Sequence, residues 1–288
     1  MSENNLQRLL RRAQEEAIKG KLPSYIPLLA QVDRQAIAIA IYQVNKEFQG
    51  DYQLNKLNMA LAGHTSLKFP LMSVIKPFLL LYLLETMGID EVFRIVDRQP
   101  TLDEFNAIPE GKPQNPMINS GAIAISSRLP SYKILQNWLN AQSGAELSLD
   151  YEMLDSVWSN ANRRNLAIAA QLQSLGIITD PDQALRVYEE ICCLRGNVQD
   201  LAKIGAFLID VTSSHIAIVL EIMTECGMYG ASAEFAQDIG LPSKSSVSGA
   251  ILSIMPHQAA IACYSPALDE IGNSVAGIFL IRQVKSMI

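Results

Sequence analysis

Ser73 and Lys76, inside the run KFPLMSVIKPFLLLYLLE that begins at Lys68, stand one helical turn apart at the head of an apolar segment. Positions i and i+3 of a helix share a face, so the lysine amine can come within hydrogen-bond reach of the serine hydroxyl. Such a pair is suited to acyl transfer: the hydroxyl attacks a carbonyl carbon while the amine takes its proton. The amine serves only when uncharged, so its pKa must fall from about 10.4 to near 7, at a cost of about 4 kcal/mol. Burial supplies part of that shift. The positive end of a helix supplies more, and it also favours the developing alkoxide. Pro77 has no N–H for the carbonyl of Ser73, which is tolerable only if the serine stands in a first turn. Alone the pair is weak evidence, since two fixed residue types recur about once by chance in a chain of this size. The local alternative is a helix-capping serine followed by a snorkelling lysine.

The elements that would carry this pair can be read from periodicity. Alternating apolar residues near 36–44, 248–255, 259–264 and 275–281 predict strands, the late ones close enough together for an antiparallel meander, with turns at Pro256-His257 and Glu270-Ile271-Gly272-Asn273. Between them the pattern predicts helices over 74–87, 119–127, 131–142, 151–175, 182–195, 199–210 and 214–225. Thr179-Asp180-Pro181-Asp182 reads as a capping box that starts the helix carrying Tyr188, and Gly196 as its stop. Strands at both ends with helices between them predict an α/β fold. Its antiparallel sheet is built from N- and C-terminal segments (about 25–75 and 226–288), with an inserted helical part (about 76–225) in one 288-residue domain. The cleft between the two parts is the default place for a site, and Ser73 would lie there.

Composition narrows the function. A net charge of −6 leaves no basic footprint for nucleic acid and no polybasic lipid anchor. The longest apolar stretches, near 36–44 and 78–84, fall well short of the roughly 18 residues of a membrane span. The charged, amphipathic start, with Leu6, Leu9, Leu10, Ala13 and Ala17 on one face, is unlike a signal peptide. Cys192, Cys193, Cys226 and Cys263 have neither metal-finger spacing nor disulfide density, so they read as buried thiols of a cytoplasmic protein. His64, His215 and His257 are scattered and give no zinc pattern. The partner expected is a small molecule.

Further segments join the serine: Tyr25-Ile26-Pro27, NPMINSGAIAI from Asn115, Arg164-Asn165-Leu166-Ala167, ECGMYG from Glu225, GLPSKSSVSGAILSIMP from Gly240 and YSPALDEIGNSVAG from Tyr264. In order and wording they resemble the serine-dependent glutaminases, relatives of the β-lactamase and penicillin-binding enzymes, over nearly the whole chain. The resemblance implies that Ser73 takes the γ-acyl group of glutamine, with Lys76 as its base. It implies that Tyr25 and Tyr229 are active-site tyrosines able to pass a proton to departing ammonia. Asn119, Asn165 and Tyr188 match positions that hold the amino acid's carboxylate and amino group. Val247 matches the residue whose backbone N–H, with that of Ser73, forms an oxyanion hole. No metal or organic cofactor is implied, and self-association as a dimer or tetramer is expected.

Without the resemblance, Asn119 reads as a helix cap, the three tyrosines as packing residues and Lys244-Ser245 as a surface turn. The sequence also departs from the family pattern. A glutamate seven residues before Asn165, which neutralises the substrate's ammonium in the family, is Trp158 here. The indole face or Asp155 is a conceivable replacement, and core packing of Trp158 is another reading. Ser246 and Ser248 stand where the family has glycines and are expected to narrow or repolarise the cleft. The leading expectation is therefore an amidohydrolase that converts L-glutamine to L-glutamate and ammonia through a serine acyl-enzyme. The alternatives are a weak or inactive glutaminase-like binding protein, or an amidohydrolase for another small amide. β-Lactam chemistry lacks its Ser-Asp-Asn and Lys-Thr-Gly.

Overall fold

The computed structural model describes residues 3–44, 58–101, 108 and 111–288. Five antiparallel strands form the main sheet: β1 (Ala38–Gln43), β2 (Asn58–Gly63), β6 (Ser243–Ser245), β7 (Ala250–Met255) and β8 (Ala259–Tyr264), in the order β2-β1-β8-β7-β6. The two ends of the sequence meet at its centre, where Ala40 of β1 pairs with Ala262 of β8. This is the α/β arrangement expected, closed by the β7–β8 turn at His257 with its positive φ of 61°.

The central strands are buried on both faces, so their alternation is small against large instead of polar against apolar. Ile39, Ile41, Ile251 and Ile261 face one way, onto the terminal helices α1 (Glu3–Ala17) and α12 (Val275–Lys285). Ala38, Ala40, Ala250, Ala260 and Ala262 face the other, toward the helical body. Small side chains let a helix come close there. A Cβ on Gly205, at the end of α9 (Val198–Gly205), would lie 3.0 Å from the Ala260 Cβ.

The last strand expected, over 275–281, is a helix. Its Val, Ile and Phe content suggests β structure. The residues it buries, however, are Ala276, Gly277, Leu280, Ile281 and Val284, the spacing of one helical face, and Ser274 caps its start by accepting from the Gly277 N–H. Strand β2 and the helices α3 (Ile89–Ile95) and α11 (Ser232–Asp238) were not anticipated.

The helical body surrounds α2 (Lys76–Met87), which buries residues on all sides from Lys76 to Leu84. Packed around it are α4 (Asn119–Ser126), α5 (Tyr132–Ser143), α6 (Tyr151–Ser156), α7 (Asn162–Ser174), α8 (Pro181–Cys192), α9 and α10 (Ser214–Cys226). Asp180 caps α8 by accepting from the Gln183 N–H, and Pro181 opens it. The helix ends at Cys192, before the short strand β5 (Leu194–Gly196). The span 151–175 is not one helix: a π-helical turn, Val157–Ala161, separates α6 from α7. Among the described residues no single helix is long and apolar enough to cross a membrane.

A second small sheet, β3-β5-β4, joins β3 (Phe69–Pro70) and β4 (Ser148–Leu149) through β5. It anchors the residues that lead into Ser73. The Leu71 N–H bonds the Leu194 carbonyl at 2.8 Å, and the Phe69 ring stacks on Tyr264 with centroids 4.3 Å apart.

Candidate active site

Ser73 sits in a 3-10 turn, Met72–Ile75, whose preceding residue Met72 holds a positive φ of 48°. A bulky residue in that region is strained and stays there only because its surroundings over-determine it. The anchors are visible: β3 on one side, the Ser246 hydroxyl donating to the Leu71 carbonyl at 2.9 Å on the other. The turn passes straight into α2, the Lys76 N–H bonding the Ser73 carbonyl, with Pro77 in the first turn of the helix. The serine therefore stands at a helix start, as the proline required.

Lys76 is 1 % exposed, and its amine donates to the Met117 carbonyl at 3.0 Å and to Asn119 Oδ1 at 2.8 Å. Both acceptors are neutral. Among the described residues no ion pair includes this amine, so burial lowers its pKa from 10.5 to about 8. Asn115 makes the Met117 acceptor available. Its Oδ1 accepts from the N–H groups of Met117 and Ile118, and its amide donates to the Gln99 carbonyl at 2.8 Å. Gly121 lets α4 lie against this turn: a Cβ there would come within 2.0 Å of the Asn115 carbonyl oxygen. Gly121→Ala should thus lower stability by roughly 2 kcal/mol, read as a fall of several degrees in the thermal midpoint by circular dichroism.

All eight residues expected in the site, Ser73, Lys76, Tyr25, Tyr229, Asn119, Asn165, Tyr188 and Val247, line one cleft of about 1190 Å³. A hydrogen-bonded row runs across its floor. Asn119 Oδ1 accepts from Lys76 and, at 2.9 Å, from the Tyr188 hydroxyl; its amide donates to Asn165 Oδ1 at 3.2 Å. On the opposite side the Ser73 hydroxyl bonds the Tyr229 phenol oxygen, and that phenol donates to the Ser245 carbonyl at 3.3 Å. Burial holds the Tyr229 phenol protonated, well above its ordinary range. Tyr25 lies at the rim with about half its surface exposed. The Val247 N–H, on the turn after β6, donates to no protein acceptor among the described residues.

Lys244 is fully buried and is no surface turn. Its amine donates to the Gly227 and Ser245 carbonyls at 2.9 and 2.7 Å and lies 4.3 Å from the centre of the Tyr229 ring. Burial, and Lys76 nearby, keep its pKa well below the usual value.

Ser246 and Ser248 do not repolarise the cleft. Both are buried outside its lining, hydroxyl to hydroxyl at 2.9 Å. Ser246 spends its donor on Leu71, so the serine is a fastener for the nucleophile turn. Asp155 is exposed and lies away from the lining, which removes it as a replacement carboxylate. Trp158, at the π turn, donates its indole N–H to Glu189 Oε2 at 2.9 Å. Glu189 is a cleft residue that sequence patterning missed. Its one signal was a charged side chain directly after Tyr188, on the apolar face of α8.

A family model described as Glutaminase matches residues 20–288. Glutaminase of Synechocystis sp. is 38% identical over 287 residues, covering 94% of this chain and 84% of that protein. Glutaminase 2 of Bacillus subtilis is 33% identical over 310 residues, covering 99% and 96%. A solved structure of a probable Bacillus subtilis glutaminase complexed with 6-diazo-5-oxo-L-norleucine superposes with a TM-score of 0.87 at 27% identity, covering 100% of this chain and 95% of that one. A covalent complex of a Bacillus subtilis glutaminase, formed by reaction with the same compound, superposes at 0.85 with 26% identity, covering 98% and 97%.

Proposed function

The chain belongs to the glutaminase family of amidohydrolases, and from that premise we propose that it hydrolyses the side-chain amide of L-glutamine through an acyl-enzyme on Ser73. The observation that carries this reading is a fully buried lysine amine with neutral hydrogen-bond partners, one helical turn from a serine in the same cleft. Lys76 in its free-amine form takes the Ser73 proton as the hydroxyl attacks the amide carbon. The carbonyl oxygen, now negative, is met by the Val247 and Ser73 backbone N–H groups; one such donor is worth roughly 3 kcal/mol in a transition state. Tyr229, protonated and joined to Ser73, is the acid that supplies ammonia's proton, with Tyr25 at the rim shielding the reacting atoms. Water then takes the place of ammonia and the same groups run in reverse, releasing glutamate.

Two residues of the floor, Asn119 and Asn165, with Tyr188, supply the amides and hydroxyl that hold the amino-acid end of the substrate. The covalent complex that a Bacillus subtilis glutaminase forms by reaction with 6-diazo-5-oxo-L-norleucine supports a covalent step here. The cytosol is the compartment this reading assigns, since all four cysteines are buried free thiols. Self-association belongs to the same reading, and light scattering of the purified protein tests it.

Ammonia release from L-glutamine, with L-asparagine beside it, is the direct assay. Turnover of glutamine, with asparagine at least tenfold poorer because its amide falls one methylene short of Ser73, is the expected result. Ammonia from neither amide would remove the assignment.

A further inference from the structure

Glu189 is the unexplained charge of this cleft. It is 2 % exposed, it is a carboxylate, and no ion pair among the described residues includes it. Its partners are two neutral donors, the Trp158 indole N–H at 2.9 Å on Oε2 and the Asn165 amide at 3.5 Å on Oε1. A buried carboxylate with only neutral partners is costly to keep. Nothing in the packing requires it, because α8 buries apolar residues on either side at Leu185, Val187 and Ile191.

The position of the group explains the expense. Glu189 closes the hydrogen-bonded row that begins at the base, passing from Lys76 to Asn119 at 2.8 Å, Asn119 to Asn165 at 3.2 Å and Asn165 to Glu189. It lines the same cleft as Ser73, at the far end of that row. A ligand that fills the cleft therefore meets a nucleophile at one end and, at the other, an acid with no ion-pair partner among the described residues.

We propose that Glu189 is the specificity residue that binds a cationic amine of the substrate, and that Trp158 is the positioning residue that aims it. The inference rests on the reading of Ser73 as the nucleophile for an amide and narrows the substrate to amides that carry an ammonium at the opposite end. Trp158 then has a definite part. Trp158 is 45 % exposed, yet its N–H donates to Oε2 and fixes that oxygen, while Glu189 still lines the cleft. The π turn sets that direction, since an extra residue in the helical turn rotates Trp158 relative to α6. Trp158 therefore does not remove the negative charge from the site, because the charge comes from the facing helix. Burial pushes the Glu189 carboxyl up to about 7, while the Asn165 and Trp158 donors draw it down, so an arriving ammonium meets a group ready to give up its proton.

The test compares L-glutamine with 5-amino-5-oxopentanoate, the same amide without the α-amine, on wild type and Glu189→Gln. Glu189→Gln keeps the shape of the side chain and one oxygen to accept from the Trp158 N–H, giving up only the long 3.5 Å contact with the Asn165 amide, so the thermal midpoint should fall by no more than a few degrees. Wild type should prefer L-glutamine in kcat/KM, and Glu189→Gln should lose on the order of a hundredfold on L-glutamine while changing less than threefold on the deaminated amide. Trp158→Phe, which keeps the ring and removes the N–H, should raise KM for L-glutamine several-fold with kcat nearly unchanged. A Glu189→Gln enzyme that keeps the wild-type preference overturns the proposal. Calorimetric binding of the two amides to Ser73→Ala, with and without Glu189→Gln, separates this failure from failure of the hydrolase reading, since it needs no turnover. Equal loss of affinity for both amides, or no loss for either, overturns the role of Glu189 even if the protein releases no ammonia.

Discussion

Ser73→Ala should lower ammonia release from L-glutamine by on the order of 10⁵-fold, to the background left by binding and backbone donors alone. Alanine removes the one atom that can form the ester and little else. The Ser73 hydroxyl bonds the Tyr229 phenol, which keeps its bond to the Ser245 carbonyl, and the turn is held by Leu71, Phe69 and Ser246. A thermal midpoint within about two degrees of wild type is therefore expected, so the loss can be assigned to chemistry. A chemical signature accompanies the kinetic one. 6-Diazo-5-oxo-L-norleucine, which reacts covalently with a relative, should add once to the wild-type chain by intact mass and not at all to Ser73→Ala. A fragment map that places the adduct on Cys192 would sink the assignment. That thiol lines the cleft, but burial raises its pKa to about 11, which leaves it a poor nucleophile near neutral pH.

How much of this was legible beforehand follows from the range of the interactions concerned. Ser73 and Lys76 are three residues apart, and one helical turn is enough to bring them together, so spacing revealed them. Tyr25, Asn119, Asn165, Tyr188, Tyr229 and Val247 come from six separate segments, and only family resemblance gathers them in one list. The sheet was legible because β1, β7 and β8 are runs of apolar residues bounded by turns. β2 was not: Asn58–Gly63 is as long as β1, but its apolar run is only the four residues Met59 to Ala62. Residues 275–281 misled for the opposite reason, since β-branched content was weighed above the helical spacing of the buried positions.

What the sequence hides about charge is a matter of distance. Trp158 replaces the family's glutamate, and the carboxyl group that its indole N–H meets, Glu189, is 31 residues away on another helix, out of reach of any local pattern. Lys244 reads as a surface turn when the resemblance is set aside, because nothing within its own strand tells that Gly227 and Tyr229 close over it; a Cβ at Gly227 would come within 1.8 Å of the Ser243 carbonyl oxygen, so the approach depends on that glycine. Ser246 and Ser248 look polar in a list, but in the fold their hydroxyls are consumed by Leu71 and by each other. Local patterns report faces and caps. Which charge meets which is decided by packing.

Lys76→Met should give a protein that is more stable than wild type at neutral pH and nearly inactive. Methionine has a similar length and no amine, so it fills the core without a proton acceptor, and kcat/KM should fall by about 10³-fold. The stability gain follows from the same shift that makes the lysine useful. An amine whose pKa is 10.5 when exposed and about 8 in the fold opposes folding by roughly 3 kcal/mol at any pH below 8. Removing it leaves the Met117 carbonyl without its donor, at about 1 to 2 kcal/mol, while Asn119 Oδ1 keeps the Tyr188 hydroxyl. A net gain of about 1 to 2 kcal/mol at pH 7 remains. Between pH 8 and 10.5 the unfolded wild-type chain holds the proton that the folded one has lost, so wild-type stability rises with pH and the advantage of Lys76→Met fades and then reverses. Groups remote from Lys76 titrate equally in both proteins, so the difference between their denaturation midpoints at pH 7 and pH 10 reports Lys76 together with its effect on the neighbouring Lys244 amine. The kinetic side has the matching sign: wild-type kcat/KM should climb about tenfold per pH unit below 8 and level off above it, as the amine becomes free to accept the Ser73 proton. A stability difference that ignores pH, or a Lys76→Met enzyme that keeps wild-type activity and the same rising limb, would shift the base assignment to Lys244, the other buried amine, which lies over the Tyr229 ring.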